Sequence, residues 1–193
     1  PLGSLPLAFK TDINTIPASN RYLASSPDKV TEWRAKLGQK TKPRIGLAWS
    51  GNPNFSGDDR RSVALSEFVK LMPDCDFEYI CLQNEIQDRD RETLQSRSDI
   101  LFFGNALTDF SDTAALCECV DLVVSTCTSI PLLSCALGKP TWLLLSSSAD
   151  WRWLLDRTDS PWCPTATLYR QQAIADWDSV FKRVEADLVQ RFS

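Results

Sequence analysis

From residue 44 onward, short apolar runs rich in Val, Ile, Leu and Trp alternate with stretches in which apolar residues recur every three or four positions. Runs that are apolar on both faces, separated by helical segments, are the pattern of a parallel sheet covered on each side. Strands are predicted at Arg44–Ser50, Phe77–Gln83, Ile100–Gly104, Asp121–Thr126, Thr141–Ser146 and Thr165–Arg170. The last helix is the clearest: Trp177, Val180, Phe181, Val184 and Leu188 share one face, and Asp176 is placed to cap its start. Six strands alternating with helices predict an α/β fold with a doubly wound, mostly parallel six-stranded Rossmann-like sheet.

Ahead of the first strand, Ser26-Pro27 opens a short helix with Val30, Trp33 and Leu37 on one face, and Gly38 closes it. Residues 5–25 carry no period. The predicted organisation is therefore a protease-cleavage scar at residues 1–4, a connector with a short helix over 5–43, and a Rossmann-like domain over 44–193.

Doubly wound sheets bind ligands beyond the carboxyl ends of their strands, which directs attention to the loops after residues 50, 83, 104, 126 and 146. Ser50-Gly51-Asn52 follows the first strand and Arg60-Arg61 lies shortly beyond. Small residues there let backbone N–H groups approach a phosphate, with arginines as cationic partners; an ordinary Gly/Pro loop beside a solvated charge cluster fits the same composition. Cys127-Thr128-Ser129 runs from the fourth strand into the apolar segment Ile130–Leu137, where a helix N-terminus favours an anion and the same hydroxyls serve plain capping. Trp151, after the fifth strand, fits stacking on a base or sugar or filling a gap between layers, whereas Trp153 reads as packing.

Composition narrows the field. The net charge is −4 and the pI about 4.9, which leaves no basic field for nucleic acid or an anionic membrane surface. No apolar run reaches the length of a bilayer span. The chain has seven cysteines; Cys81, Cys117, Cys119 and Cys135 lie in apolar segments and read as reduced small hydrophobes, which suits a cytoplasmic setting. With no histidine in the chain, Cys127 lacks the usual base for nucleophilic catalysis, and Cys117/Cys119 lack zinc spacing. Three Asp-x-Asp pairs (Asp74/Asp76, Asp88/Asp90, Asp176/Asp178) do not follow a strand, so no metal site is expected; helix-start charge accounts for the latter two. G-x-G-x-x-G is absent, which argues against a nicotinamide-dependent oxidoreductase.

A set of segments together resembles the carboxyl-terminal domain of heptosyltransferase-like (family nine) glycosyltransferases, notably the version at the end of bacterial tetratricopeptide-repeat proteins. They are Arg44-Ile45-Gly46-Leu47-Ala48-Trp49-Ser50-Gly51-Asn52-Pro53, Asp59-Arg60-Arg61-Ser62, Leu82-Gln83, Asp109 through Leu116, Ala136 through Pro140, and Asp150 through Arg157 leading to Asp159-Ser160-Pro161-Trp162. The resemblance runs from about residue 20 to the end.

It implies one half of a GT-B architecture, with a nucleotide-sugar donor as substrate, no cofactor and no metal, and sugar transfer to a protein or glycan acceptor. The implied partners include a preceding Rossmann-like domain and tetratricopeptide repeats. Ser50 and Gly51 would face the diphosphate with Arg60 or Arg61, Gln83 and Phe110 would hold the nucleoside, and Thr128 with Ser129 would meet phosphate. The chain departs from the family at Cys127, where relatives carry Asp, and at Leu132, where they carry His. The first loses an acceptor for sugar hydroxyls and the second a polar group at the phosphate. A degenerate, non-catalytic binding module is therefore the alternative expectation.

Overall fold

The computed structural model describes residues 2–73 and 76–192; Pro1 of the scar, Asp74 of the first Asp-x-Asp pair and Cys75 lie outside them. A short helix, α1 (Pro27–Leu37), precedes β1 (Arg44–Ala48) and the four-residue α2 (Asp58–Arg61). Then come β2 (Glu78–Cys81), β3 (Ile100–Phe102), α3 (Phe110–Glu118), β4 (Leu122–Thr126), α4 (Ser129–Ala136), β5 (Thr141–Leu145), β6 (Ala166–Arg170) and α5 (Trp177–Phe192). All six strands join one sheet in the order β3-β2-β1-β4-β5-β6, and every pairing is parallel. The sheet is thus wholly rather than mostly parallel, in the Rossmann order whose direction of winding switches between β1 and β4.

Each expected strand exists, but the observed ladders stop one or two residues sooner at most ends. Trp49 and Ser50, for example, leave the ladder because their N–H groups are taken by the Gln83 side chain.

Alternation along β1 divides the core. Ile45 and Leu47, with Trp49, face a layer completed by Phe68, Trp142 and the α5 residues Val180, Phe181 and Val184. Ala48 faces the opposite layer, with Trp33 and Leu37 of α1 and Ala115 and Leu116 of α3. Nearly all of these side chains are almost wholly removed from water, at about 1.5–3 kcal/mol of transfer free energy per large aliphatic side chain. Helix α1 is further fixed to α3 by Lys29 and Asp112, 2.7 Å apart.

The connector is only partly ordered into helix. Leu5–Ala8 form a single exposed turn continuous with Leu2–Ser4. Farther on, Tyr22 and Leu23 donate their N–H groups to the Ala136 carbonyl at the end of α4, where helix carbonyls otherwise lack partners.

Cys135 is not a free apolar filler: it is joined to Cys163, 28 residues away. The bond fastens α4 to the segment before β6, inside a small cluster with Leu143, Leu145 and Trp153. Cys81, Cys117 and Cys119 are free and buried, and burial raises the Cys81 and Cys117 thiols to about 12.

Candidate functional site

Parallel strands bring the loops after β1, β2, β4 and β5 to one rim of the sheet. There a cavity of about 750 Å3 is lined by Ser50, Gly51 and Asn52 after β1, Gln83 through Arg89 after β2, and Thr128, Ser129 and Ile130 after β4. A second cavity of about 200 Å3 is lined by Phe55, Arg60, Arg61, Cys127, Ser146 and Asp150, among others. Consecutive residues line the two, Asn54 and Phe55 after β1 and Cys127 and Thr128 after β4, at the switch point between these strands. Arg61 marks the boundary: its Nη1 donates to the Cys127 carbonyl at 3.0 Å.

Several of the expected site residues are bonded within the protein. Gln83 borders the large cavity, yet its amide is spent on the protein. Its Oε1 accepts from the N–H groups of Trp49 and Ser50 at 2.7 and 3.1 Å. Its Nε2 donates to the Ser50 hydroxyl and the Glu85 carbonyl. Gln83 thereby braces the turn after β1, since a buried turn must satisfy its own donors.

The Gly51 N–H is likewise engaged, by the Ser62 hydroxyl at 2.8 Å, so neither Ser50 nor Gly51 offers a backbone donor to a phosphate in this arrangement. Gly51 is nonetheless required by packing: a Cβ there would lie 2.6 Å from Asp58 Oδ1 and 2.8 Å from Arg61 Nη2.

The arginines differ. Arg61 donates through Nε to Asp58 at 2.9 Å and lies against the Phe55 ring. Arg60 is exposed and forms no ion pair among the described residues. On the other side of the boundary, Thr128 caps α4, its hydroxyl accepting from Ile130 N–H at 3.4 Å. The Thr128 N–H turns back to the Thr126 carbonyl. The Ser129 N–H at the first helical position has no intrahelical acceptor, as geometry requires there, and Pro131 supplies no donor. The free donors at this helix start are thus fewer than the residue types suggest.

Cys127 is half-buried and accepts a hydrogen bond from the Trp153 indole through Sγ at 3.2 Å. Burial raises its pKa, and the indole contact opposes this only in part. A protonated thiol is a poor nucleophile.

Phe110 and Trp151 lie outside the lining of both cavities. Phe110 opens α3, capped by Asp109, and is 61% exposed. Trp151 is 65% exposed and meets Trp162 edge-on at 5.6 Å. Trp153 is buried, as expected of a packing residue.

Residue types alone did not single out the polar side chains that organise the rim. Asp58, buried at 5% exposure, binds both Arg61 and Ser62. Asp90 stands at the start of the Arg91–Ser96 helix, as expected, but its wholly buried carboxylate also accepts from the Trp49 indole and the Leu65 N–H and so anchors the interior. Gln87 donates to the Gly51 carbonyl at 3.1 Å. The available signal was positional, since the loop after β2 lies on the ligand rim of any such sheet. Asp176 does serve as a helix-start acceptor, for Ser179 N–H. Among the described residues, no three Asp, Glu, Cys or His side chains gather as a metal site. No helix of these residues is long and apolar enough to cross a membrane.

The fold is an all-parallel six-stranded Rossmann-like sheet with helices on both faces. It superposes on ADP-heptose lipopolysaccharide heptosyltransferase II of E. coli with a TM-score of 0.55 and 14% identity, over 89% of this chain and 54% of that one. A likeness to the wall teichoic acid polymerase TagF, at a TM-score of 0.38, is too slight to weigh. In sequence the chain is 23% identical over 195 residues to Protein FlbA of Caulobacter vibrioides, covering 97% of this chain and 32% of FlbA. No protein-family model matches the chain. The chain thus spans about a third of FlbA and about half of the heptosyltransferase.

Proposed function

We propose that this chain is the nucleotide-sugar-binding domain of a two-domain glycosyltransferase that transfers a sugar to a protein or glycan acceptor. One observation carries the reading: the turns after β1 and β4 meet at the switch point, around a cavity of about 750 Å3, with Arg61 spanning them. A volume of that order suits a nucleoside diphosphate. The diphosphate lies between the start of α4 and the guanidinium groups of Arg60 and Arg61, and the nucleoside lies toward the loop after β2. Fixed dipoles and guanidinium groups then stabilise the departing diphosphate without metal. A second Rossmann-like domain supplies the acceptor site, with tetratricopeptide repeats as a further partner.

A second reading, a binding module without transfer activity, draws on different observations. The Ser50 and Gly51 N–H groups are already bonded within the protein. Cys127 and Leu132 supply no ionised or imidazole group at the start of α4.

Calorimetric titration of the chain with ADP, GDP, UDP and CDP tests the donor site. Binding of at least one is expected, and no heat from any of them at millimolar concentration overturns it. Turnover of the corresponding nucleotide-sugar by the full-length protein separates transfer from binding alone.

A further inference from the structure

Asp58 is a buried carboxylate that the donor-site reading leaves without a task. Both of its oxygens are used, and they reach in two directions. Oδ1 accepts from Arg61 Nε at 2.9 Å, and Oδ2 accepts from the Ser62 hydroxyl at 2.7 Å. Each partner then grips one wall of the cleft. The Ser62 hydroxyl accepts the Gly51 N–H at 2.8 Å on the β1 side, and Arg61 Nη1 donates to the Cys127 carbonyl at 3.0 Å on the β4 side.

With Nε and Nη1 committed, Arg61 keeps Nη2 without a protein acceptor among the described residues. That group comes within 2.8 Å of where a Gly51 Cβ would stand, at the boundary between the two cavities. An arginine held on two edges loses little further side-chain freedom when its third nitrogen meets an anion, so ordering done in advance appears as affinity.

We infer that Asp58 is the positioning residue of the donor site: it holds Arg61 across the switch point, with Nη2 directed to the diphosphate, and through Ser62 it sets the Gly51 turn beside it. The inference rests on the donor-site reading, since Arg61 is useful in this way only if an anion binds there. Asp58 itself does not touch the ligand. Its negative charge opposes the anion, so its contribution lies in geometry.

Geometry and charge separate on substitution. Asp58→Ala removes both hydrogen-bond acceptors, whereas Asp58→Asn keeps one oxygen for Arg61 Nε and a polar group for Ser62 while removing the charge. Affinity for the nucleoside diphosphate that binds the unaltered chain is measured by calorimetry well below the unfolding temperature of each variant, with Arg61→Ala and the double variant Asp58→Ala/Arg61→Ala alongside. Asp58→Ala is expected to weaken binding about tenfold, the scale of one charge-assisted hydrogen bond. Asp58→Asn is expected to restore most of that loss, and the double variant to bind no more weakly than Arg61→Ala, because two residues acting through one contact are not additive.

A folded Asp58→Ala chain that binds like the unaltered one overturns the inference and leaves the donor site standing. Additive losses in the double variant also overturn it. If no nucleoside diphosphate binds even the unaltered chain, the donor-site reading falls and takes the positioning role with it. Should Asp58→Ala not fold, Asp58→Asn and Ser62→Ala carry the test: both must bind more strongly than Arg61→Ala.

Discussion

The guanidinium of Arg61 donates to the backbone carbonyl of Cys127 at 3.0 Å, tying the loop after β1 to the turn after β4. Arg60, its neighbour in sequence, has no such tether. The two arginines should therefore differ as anion partners. Arg61→Ala is expected to weaken nucleoside diphosphate binding about 10- to 100-fold, and the loss should persist in high salt because the group is mostly buried. Arg60→Ala is expected to cost less, and its effect should fade as salt screens an exposed charge. Titrations at low and high ionic strength check both, and an Arg61→Ala chain of unchanged affinity removes that residue from the site.

Gln83 stands beneath the same turn. Its Oε1 is the acceptor for two buried N–H groups, so Gln83→Ala leaves both without a partner. The expected loss of stability is about 2–6 kcal/mol, from roughly 1–3 kcal/mol for each unsatisfied buried group. Denaturant unfolding measures it. A loss under about 0.5 kcal/mol, the size of an ordinary surface substitution, means that water or a shifted backbone replaces the amide.

The contrast between Gln83 and β5 explains what was legible in the sequence. Thr141–Leu145 is buried at every position, and a strand buried on both faces must be an unbroken apolar run, so composition alone reveals it. Helix α5 was equally readable, because Val180, Phe181, Val184 and Leu188 form a buried face. The rim obeys no such rule. A polar residue after a strand can meet a ligand or satisfy other groups of the protein: Gln83 and Asp90 serve backbone N–H groups 25 to 34 positions away, and Asp58 serves the side chains of Arg61 and Ser62. The Cys135–Cys163 bond was hidden for the same reason: its partners meet only after α4, β5 and the following loop have packed. The loops at the carboxyl ends of the strands could be marked from the strand pattern, while the division of the rim into two cavities, with Phe110 and Trp151 outside the lining of both, needed coordinates.

That disulfide closes a segment of 28 residues. Restricting the unfolded chain over such a length is worth about 2–4 kcal/mol. Reductant is therefore expected to lower the stability of the chain by that amount, and Cys163→Ser to do the same while abolishing the response to reductant. Unfolding curves with and without reductant decide it; identical curves for the unaltered chain mean the bond contributes nothing under those conditions.

Cys127 should be slow to react despite its place at a strand-to-helix turn. Burial raises its pKa, so little thiolate is present at neutral pH, and the thiolate is the reactive form. Timed alkylation with iodoacetamide near pH 7.5, read by mass spectrometry, is expected to label it more slowly than a small free thiol. Labelling should accelerate as pH rises. Rapid neutral-pH labelling would mean that an unseen group stabilises the thiolate.

Asp109 gives the fold a pH dependence of known sign. The Ser111 hydroxyl bonds to its carboxylate, the N–H groups of Asp112 and Ser111 add to this, and together they lower its pKa from 3.8 to about 2. A carboxylate with a depressed folded pKa stabilises above its unfolded value, and that stabilisation is lost as pH falls through the folded one. The contribution of the α3 cap should therefore be complete above about pH 4, decline below 3.8, and be gone once pH falls below about 2. Asp109→Asn keeps an oxygen for the helix N–H groups but cannot titrate, so it caps α3 without this dependence. Thermal melts of both chains between pH 2 and 5 isolate the effect, since every other carboxylate is common to the two. The difference between them should be constant above pH 4 and shrink steadily below it. A difference that does not change with pH removes the ionised form of Asp109 from the stability of the helix.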